Sequence, residues 1–209
     1  MKYGDESLDI SGRRVTLARA ISRVTPAPII NLVVGTIMSI ASSNRLGPVL
    51  TSSASILVCL IFMVILPVMP IIIEAYRGNV DLDVSQQEVR TKFFAFAIFF
   101  YLIAFSIYSV LNADIMQYLS AAYITVTVGV MLVNRISKVS VHGAGVGGPG
   151  TALIIEYGLL ASPVLVVWIL VIWSRTILRQ HTLRESISGV LLATAITILT
   201  YYFLPMVVY

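Results

Sequence analysis

Five stretches of this chain, at about 28–43, 48–75, 92–111, 115–133 and 186–208, stay apolar for roughly the length a helix needs to cross a bilayer. A crossing takes about 20 mostly apolar residues. Lipid offers the backbone no hydrogen bonds, so segments of this length must bond within themselves, as helices do. The fold class that follows is all-α, a polytopic membrane helix bundle. Composition agrees: of 209 residues 58% are apolar and 11% charged, against about 45–50% and about 25% in soluble domains. A water-soluble globule and a disordered chain are excluded. So is a disulfide scaffold, because Cys59 is the only cysteine. No Lys/Arg-rich stripe lies on a soluble face, so the basic balance does not point to nucleic acid.

The run Thr151–Trp173 is interrupted by Glu156, Gly158 and Ser162-Pro163 and reads in two ways. As one crossing it gives six in all, with 134–150 as a loop. Alternatively the chain enters the membrane near His142, turns at Ala161-Ser162-Pro163 and returns through Val164–Trp173, giving about seven. The glycines at 143, 145, 147, 148 and 150 favour the six-crossing reading on composition alone. Charge votes the other way. With seven crossings, 13 of the 14 Lys and Arg, counting Lys92 at the mouth of the third crossing, share the side of the N-terminus; with six the division is 10 to 4. Positive residues gather on the cytoplasmic side, which places the N-terminus there.

Residues 1–26 form a separate arm ahead of the membrane domain, 27–209. The arm has no apolar core of the kind a secretory signal carries. Ile10, Leu17, Ile21 and Val24 recur at helical spacing among Arg13, Arg14, Arg19 and Arg23. This pattern predicts an amphipathic helix on an anionic cytoplasmic surface.

Both histidines of the chain fall on that same side, in Lys138-Val-Ser140-Val-His142 and in Ser174-Arg175-Thr-Ile-Leu-Arg179-Gln-His181-Thr-Leu-Arg184-Glu185. If 174–185 is helical, His181 and Glu185 are four apart and meet on one face. A carboxylate beside an imidazole fixes its tautomer and leaves the other nitrogen free to act as a nucleophile. Glu156, inside an apolar run, reads as an interhelical hydrogen-bonding group near the far surface. The close pair Asp81 and Asp83 has no second acidic pair to complete a metal-diphosphate site of the prenyltransferase kind.

The second of these segments resembles the third signature of the type 2 phosphatidic acid phosphatase/haloperoxidase superfamily: Ser-Arg, five residues, His, three residues, Asp. Ser174, Arg175, His181 and Glu185 reproduce it with Glu for Asp. Ser140 and His142 keep two residues of the family's second signature, Pro-Ser-Gly-His. The first, Lys, six residues, Arg-Pro, is not met: Asp83 stands seven residues before Arg90, and Thr91 replaces the proline. The resemblance implies an integral-membrane phosphatase that hydrolyses a lipid phosphate or polyprenyl diphosphate without a metal or other cofactor. It implies His181 as nucleophile oriented by Glu185, and His142 as general acid. Arg175, Lys138, Ser140, Ser174, Arg90 and Lys92 would bind the phosphate. Its substrate partner would be a membrane lipid. Only the seven-crossing reading places these residues on one side, so seven crossings are expected. The competing classes are a catalytically degenerate protein of the same fold and a small transporter or complex subunit.

Overall fold

Caps and prolines set the helix boundaries. The computed structural model describes residues 1–208, the side chains of residues 7, 207 and 208 aside; Tyr209, the last residue of the expected domain 27–209, lies outside them. The helices are α1 (Arg13–Val24), α2 (Ala27–Ala41), α3 (Ser52–Cys59), α4 (Leu66–Tyr76), α5 (Arg90–Val110), α6 (Asp114–Val133), α7 (Val141–Tyr157), α8 (Pro163–Ile177) and α9 (Leu183–Val208). Among the described residues there is no strand. A π-helical stretch, Leu60–Ile65, joins α3 to α4 into one span, Ser52–Tyr76. Pro26 disfavours helix at the residue before it, and α1 and α2 meet there at 53°.

Four helices, Ser52–Tyr76, Arg90–Val110, Asp114–Val133 and Leu183–Met206, are long and apolar enough to cross a membrane; taking the bent α1–α2 pair as one span gives five. Large apolar side chains such as Phe96, Phe99, Ile169 and Phe203 face outward, as a lipid-solvated surface requires. This is a membrane protein.

The run Thr151–Trp173 is not one helix, which corrects the single-helix reading of it. Gly158 takes a positive φ of 58° and opens a short 3₁₀ turn, Gly158–Ala161, and Pro163 then starts α8. The two helices lie antiparallel. Trp168 Nε1 donates to the Val146 carbonyl at 2.8 Å, and the Cα of Gly150 faces Val164.

The helix ends form two polar clusters. At one, Arg45 donates to Asp114 of α6 and to Glu156 of α7, so Glu156 is the interhelical group expected of it. At the other lie Arg90, Lys138, His142, Arg175 and His181, hereafter the histidine end. α1 packs along α8 through Ala18 and Ser22, which are buried. Leu17 and Val24, from the apolar stripe of the arm, remain exposed. The arm thus contains a helix, which buries Ala18 and Ser22, partly buries Val15 and Ile21, and leaves Leu17 and Val24 outside.

α7 and α9 make the most intimate pair, because glycines let their backbones touch. A Cβ on Gly147 would lie 2.7 Å from the Val190 carbonyl oxygen, and one on Gly189 would lie 2.5 Å from that of Ser140. Neither neighbour is a side chain that can swing away. Gly147→Ala is expected to cost about 1–3 kcal/mol, as overpacking does. In detergent, that variant should unfold several degrees below the wild type, and an unchanged midpoint would show that the two helices have slack.

Candidate functional site

The chain at the C-terminus of α8 turns by a local motif. Arg179 adopts a left-handed φ of 53°, and the N–H groups of Gln180 and His181 both reach the Arg175 carbonyl, at 3.2 and 3.4 Å. The helix therefore stops at Ile177, so the condition of a helix over 174–185 is not met. Its consequence still stands, for a different reason. Thr182-Leu-Arg-Glu185 forms a reciprocal capping box at the start of α9: Glu185 N donates to Thr182 Oγ1 at 3.2 Å, and Thr182 N to Glu185 Oε2 at 3.3 Å. The same Oε2 lies 2.9 Å from His181 Nδ1. An ionised carboxylate only accepts, so Nδ1 carries the hydrogen and Nε2 keeps its lone pair.

His142 is the second residue of α7. Ser140 caps that helix, its Oγ accepting from Gly143 N at 3.1 Å, and Ser140 N donates to the Glu185 carbonyl at 3.1 Å. This last bond ties the start of α7 to the start of α9. The two imidazoles are near enough to interact electrostatically, and each also feels Arg175 and Arg90. They open on different recesses. His181 lines a shallow cleft with Lys138 and Thr176, and His142 lines a deep cavity with Asp83 and Arg90.

Arg175 sits at the centre and is 2% exposed. One terminal nitrogen donates to Ser22 Oγ at 2.8 Å and lies 3.4 Å from Asp83 Oδ1; among the described residues its Nε has no partner. Asp83 Oδ1 also lies 3.9 Å from His142 Nε2, and Asp83 Oδ2 accepts from Gly4 N at 3.3 Å. Burial raises the Asp83 carboxyl above its usual range, and the attraction of Arg175 offsets only part of this. Arg90, also buried, donates to the carbonyls of Val84 and Val139 and to Asn134 Oδ1. Val84 has a φ of 47°, strained for a β-branched residue. Asp81 staples this loop by accepting from the N–H groups of Asp83 and Ser85 and from the Ser85 hydroxyl.

No family model, curated protein or solved structure matches this chain. The chemistry of the site is therefore read from its own atoms.

His181, Glu185, His142, Arg175, Arg90 and Lys138 are gathered at one end of the bundle. Lys138 reaches the Gln180 carbonyl at 3.3 Å beside the His181 cleft. Ser140 and Ser174 are buried there with their hydroxyls in local use: Ser140 accepts as a cap, and Ser174 donates to the Val171 carbonyl. Lys92 is not brought in. It is half exposed, 3.8 Å from Glu74 and over the Phe93 ring, because two residues along α5 from Arg90 turn it by about 200°, off the inner face. Sequence reasoning missed Ser22, Asn134 and, above all, Asp83. Its position seven residues before Arg90 was the available signal. Among the described residues no group of three or more His, Cys, Asp or Glu is placed to hold a metal ion.

Two measurements follow. Burial lowers the His181 pKa to about 4 despite the Glu185 hydrogen bond. The unfolded chain, near 6.5, binds the proton more readily in that interval. The stability His181 contributes is then complete above about pH 6.5 and lost as pH falls from there toward about 4. Thermal unfolding of His181→Gln should flatten that part of the pH profile, and parallel profiles would place the titration elsewhere. Removing one partner of a buried ion pair strands the other, so Arg175→Met should cost about 3–5 kcal/mol. Asp83→Asn added to it should restore more than half of that loss in chemical denaturation.

Proposed function

We propose that this protein is an integral-membrane phosphatase that cleaves a lipid phosphate or polyprenyl diphosphate through a phosphohistidine. One observation carries the reading: a buried arginine with an idle Nε–H beside a histidine whose Nδ1 is already engaged by a carboxylate. An idle donor on a buried cation suits an anion, and the planar guanidinium meets phosphate oxygens two at a time. The spacing of Ser174, Arg175, His181 and Glu185, which resembles the phosphatase superfamily's third signature, supports the same chemistry.

In this mechanism the substrate phosphate takes the place of Asp83 on Arg175. His181 Nε2 attacks phosphorus, and the bond from phosphorus to the leaving oxygen breaks. His142, which takes up a proton together with the incoming phosphate anion, gives it to that oxygen. Water then attacks the phosphohistidine, His142 takes a proton from it, and inorganic phosphate leaves while His181 returns to its starting state. Arg175 and Arg90 hold the charge that develops on the non-bridging oxygens. Glu185 keeps the nucleophile in one tautomer throughout.

The reading includes topology. We take α2, the α3–α4 span and α5 to α9 as seven crossings, with the histidine end and the arm on the cytoplasmic side. Arg45 at the far end, against 13 Lys and Arg on the other side, supports that orientation. The exposed Leu17 and Val24 of α1 then face the headgroup region. Asp83 on Arg175 favours one second reading, a protein of this fold that binds a lipid phosphate without cleaving it.

Purified protein is expected to release phosphate from phosphatidic acid or a polyprenyl diphosphate. His181→Ala should reduce that release at least about a thousandfold, a loss comparable to that of a nucleophile. With labelled substrate, a quenched reaction of the wild type should carry acid-labile phosphate on His181. Equal release by both proteins would sink the reading. Binding without release would leave the second one.

A further inference from the structure

His142, Asp83 and Arg90 close the top of a cavity of about 420 Å³ that runs down inside the bundle. Apart from those groups, Tyr3 and Thr127, the upper walls are apolar, with Pro67, Phe94, Ala97 and Val126 among them. At the bottom the wall turns polar. Asn31 donates to the Met63 carbonyl at 2.9 Å and stands 3.4 Å from the Tyr101 hydroxyl. Asn31 Oδ1 and the Tyr123 hydroxyl have no partner among the described residues. Arg90 and Tyr101 are eleven residues apart on α5, or roughly 16 Å at about 1.5 Å per residue. Protein interiors are close-packed, so a space of this size beneath a charged head is an exception that needs an occupant.

Its depth sets how much fits: the roughly 16 Å between Arg90 and Tyr101 matches one extended chain of about a dozen carbons. A route in exists from the side. α2 packs on α3 and the π-helical stretch but makes no substantial contact with α4, and Pro28, Val68 and the exposed Ile72 line the gap between them. The π stretch, followed by Pro67 and Pro70, is the irregularity that lets α4 diverge.

We propose that this cavity is a slot for a single hydrocarbon chain esterified to the phosphate or diphosphate bound at the histidine end. The preferred ligand is then a single-chain lipid phosphate, alkyl or isoprenoid, and its first dozen or so carbons lie inside the protein and not in the bilayer. The slot ends where Asn31, Tyr101 and Tyr123 offer an apolar chain less than water does. The proposal rests on the phosphate-handling reading of the histidine end.

The test uses the full chain in detergent with two alkyl phosphonates, of four and twelve carbons, each ending in a photoreactive diazirine. The short probe is expected to label residues near the top, such as Phe94. The long one is expected to label Leu119, Tyr101 or Tyr123, and excess dodecyl phosphate should suppress both. Ala97→Phe, which fills the slot, should cut long-probe labelling more than tenfold. Adducts of the long probe confined to the outward Phe96, Phe99 and Leu102, or adducts at one depth for both probes, would overturn the slot. Hydrolysis of butyl phosphate by the wild type reports separately on the phosphatase reading. Release without deep labelling defeats the slot alone, and deep labelling without release defeats catalysis alone.

Discussion

A guanidinium taken out of water must be answered by other groups, and the histidine end is organised around that requirement. Arg175 leaves α8 pointing inward, where solvent does not reach it. The answer comes from distant parts of the chain: the Ser22 hydroxyl on α1, Asp83 from the loop before α5, and through Asp83 the Gly4 amide and the His142 ring. Two of these lie in a loop and in the N-terminal segment, and two at helix ends. One buried charge therefore ties the arm, the loop before α5 and the start of α7 to α8. The Ser140 to Glu185 bond holds the starts of α7 and α9, and with them the two histidines, together. The balance is incomplete, because the Nε–H has no acceptor among the described residues.

Much of this was legible in the sequence, and the parts that were not have definite causes. The break inside Thr151–Trp173 could be read because Gly158 and Pro163 are backbone signals that need no tertiary context. The pairing of His181 with Glu185 was correctly expected, although by the wrong route. Helical spacing suggested it, but Thr182 and Glu185 bring it about as a cap, a pattern equally visible in Thr-x-x-Glu. Lys92 illustrates the opposite failure. Charge and position recommended it, but the direction of a side chain on α5 depends on which face packs, and sequence alone left Arg90 and Lys92 equivalent.

Asp83 was hidden for a more general reason. Beside Asp81 it looks like half of an acidic pair, and the two carboxylates in fact have different tasks. Asp81 turns back onto its own loop, while Asp83 reaches across the bundle to Arg175. Local hydrogen bonding of the Asp81 kind can be inferred from neighbours in sequence. A contact spanning 92 residues cannot.

The bond between Arg175 and Ser22 spans 153 residues. The arm is made before α8, and its packing along that helix, with the Ser22 to Arg175 bond, cannot form until α8 is in place. Contacts this distant close late, after the loop entropy between them has been overcome. The polar end of this protein is thus completed only after α8 has been made, by residues that were made long before it.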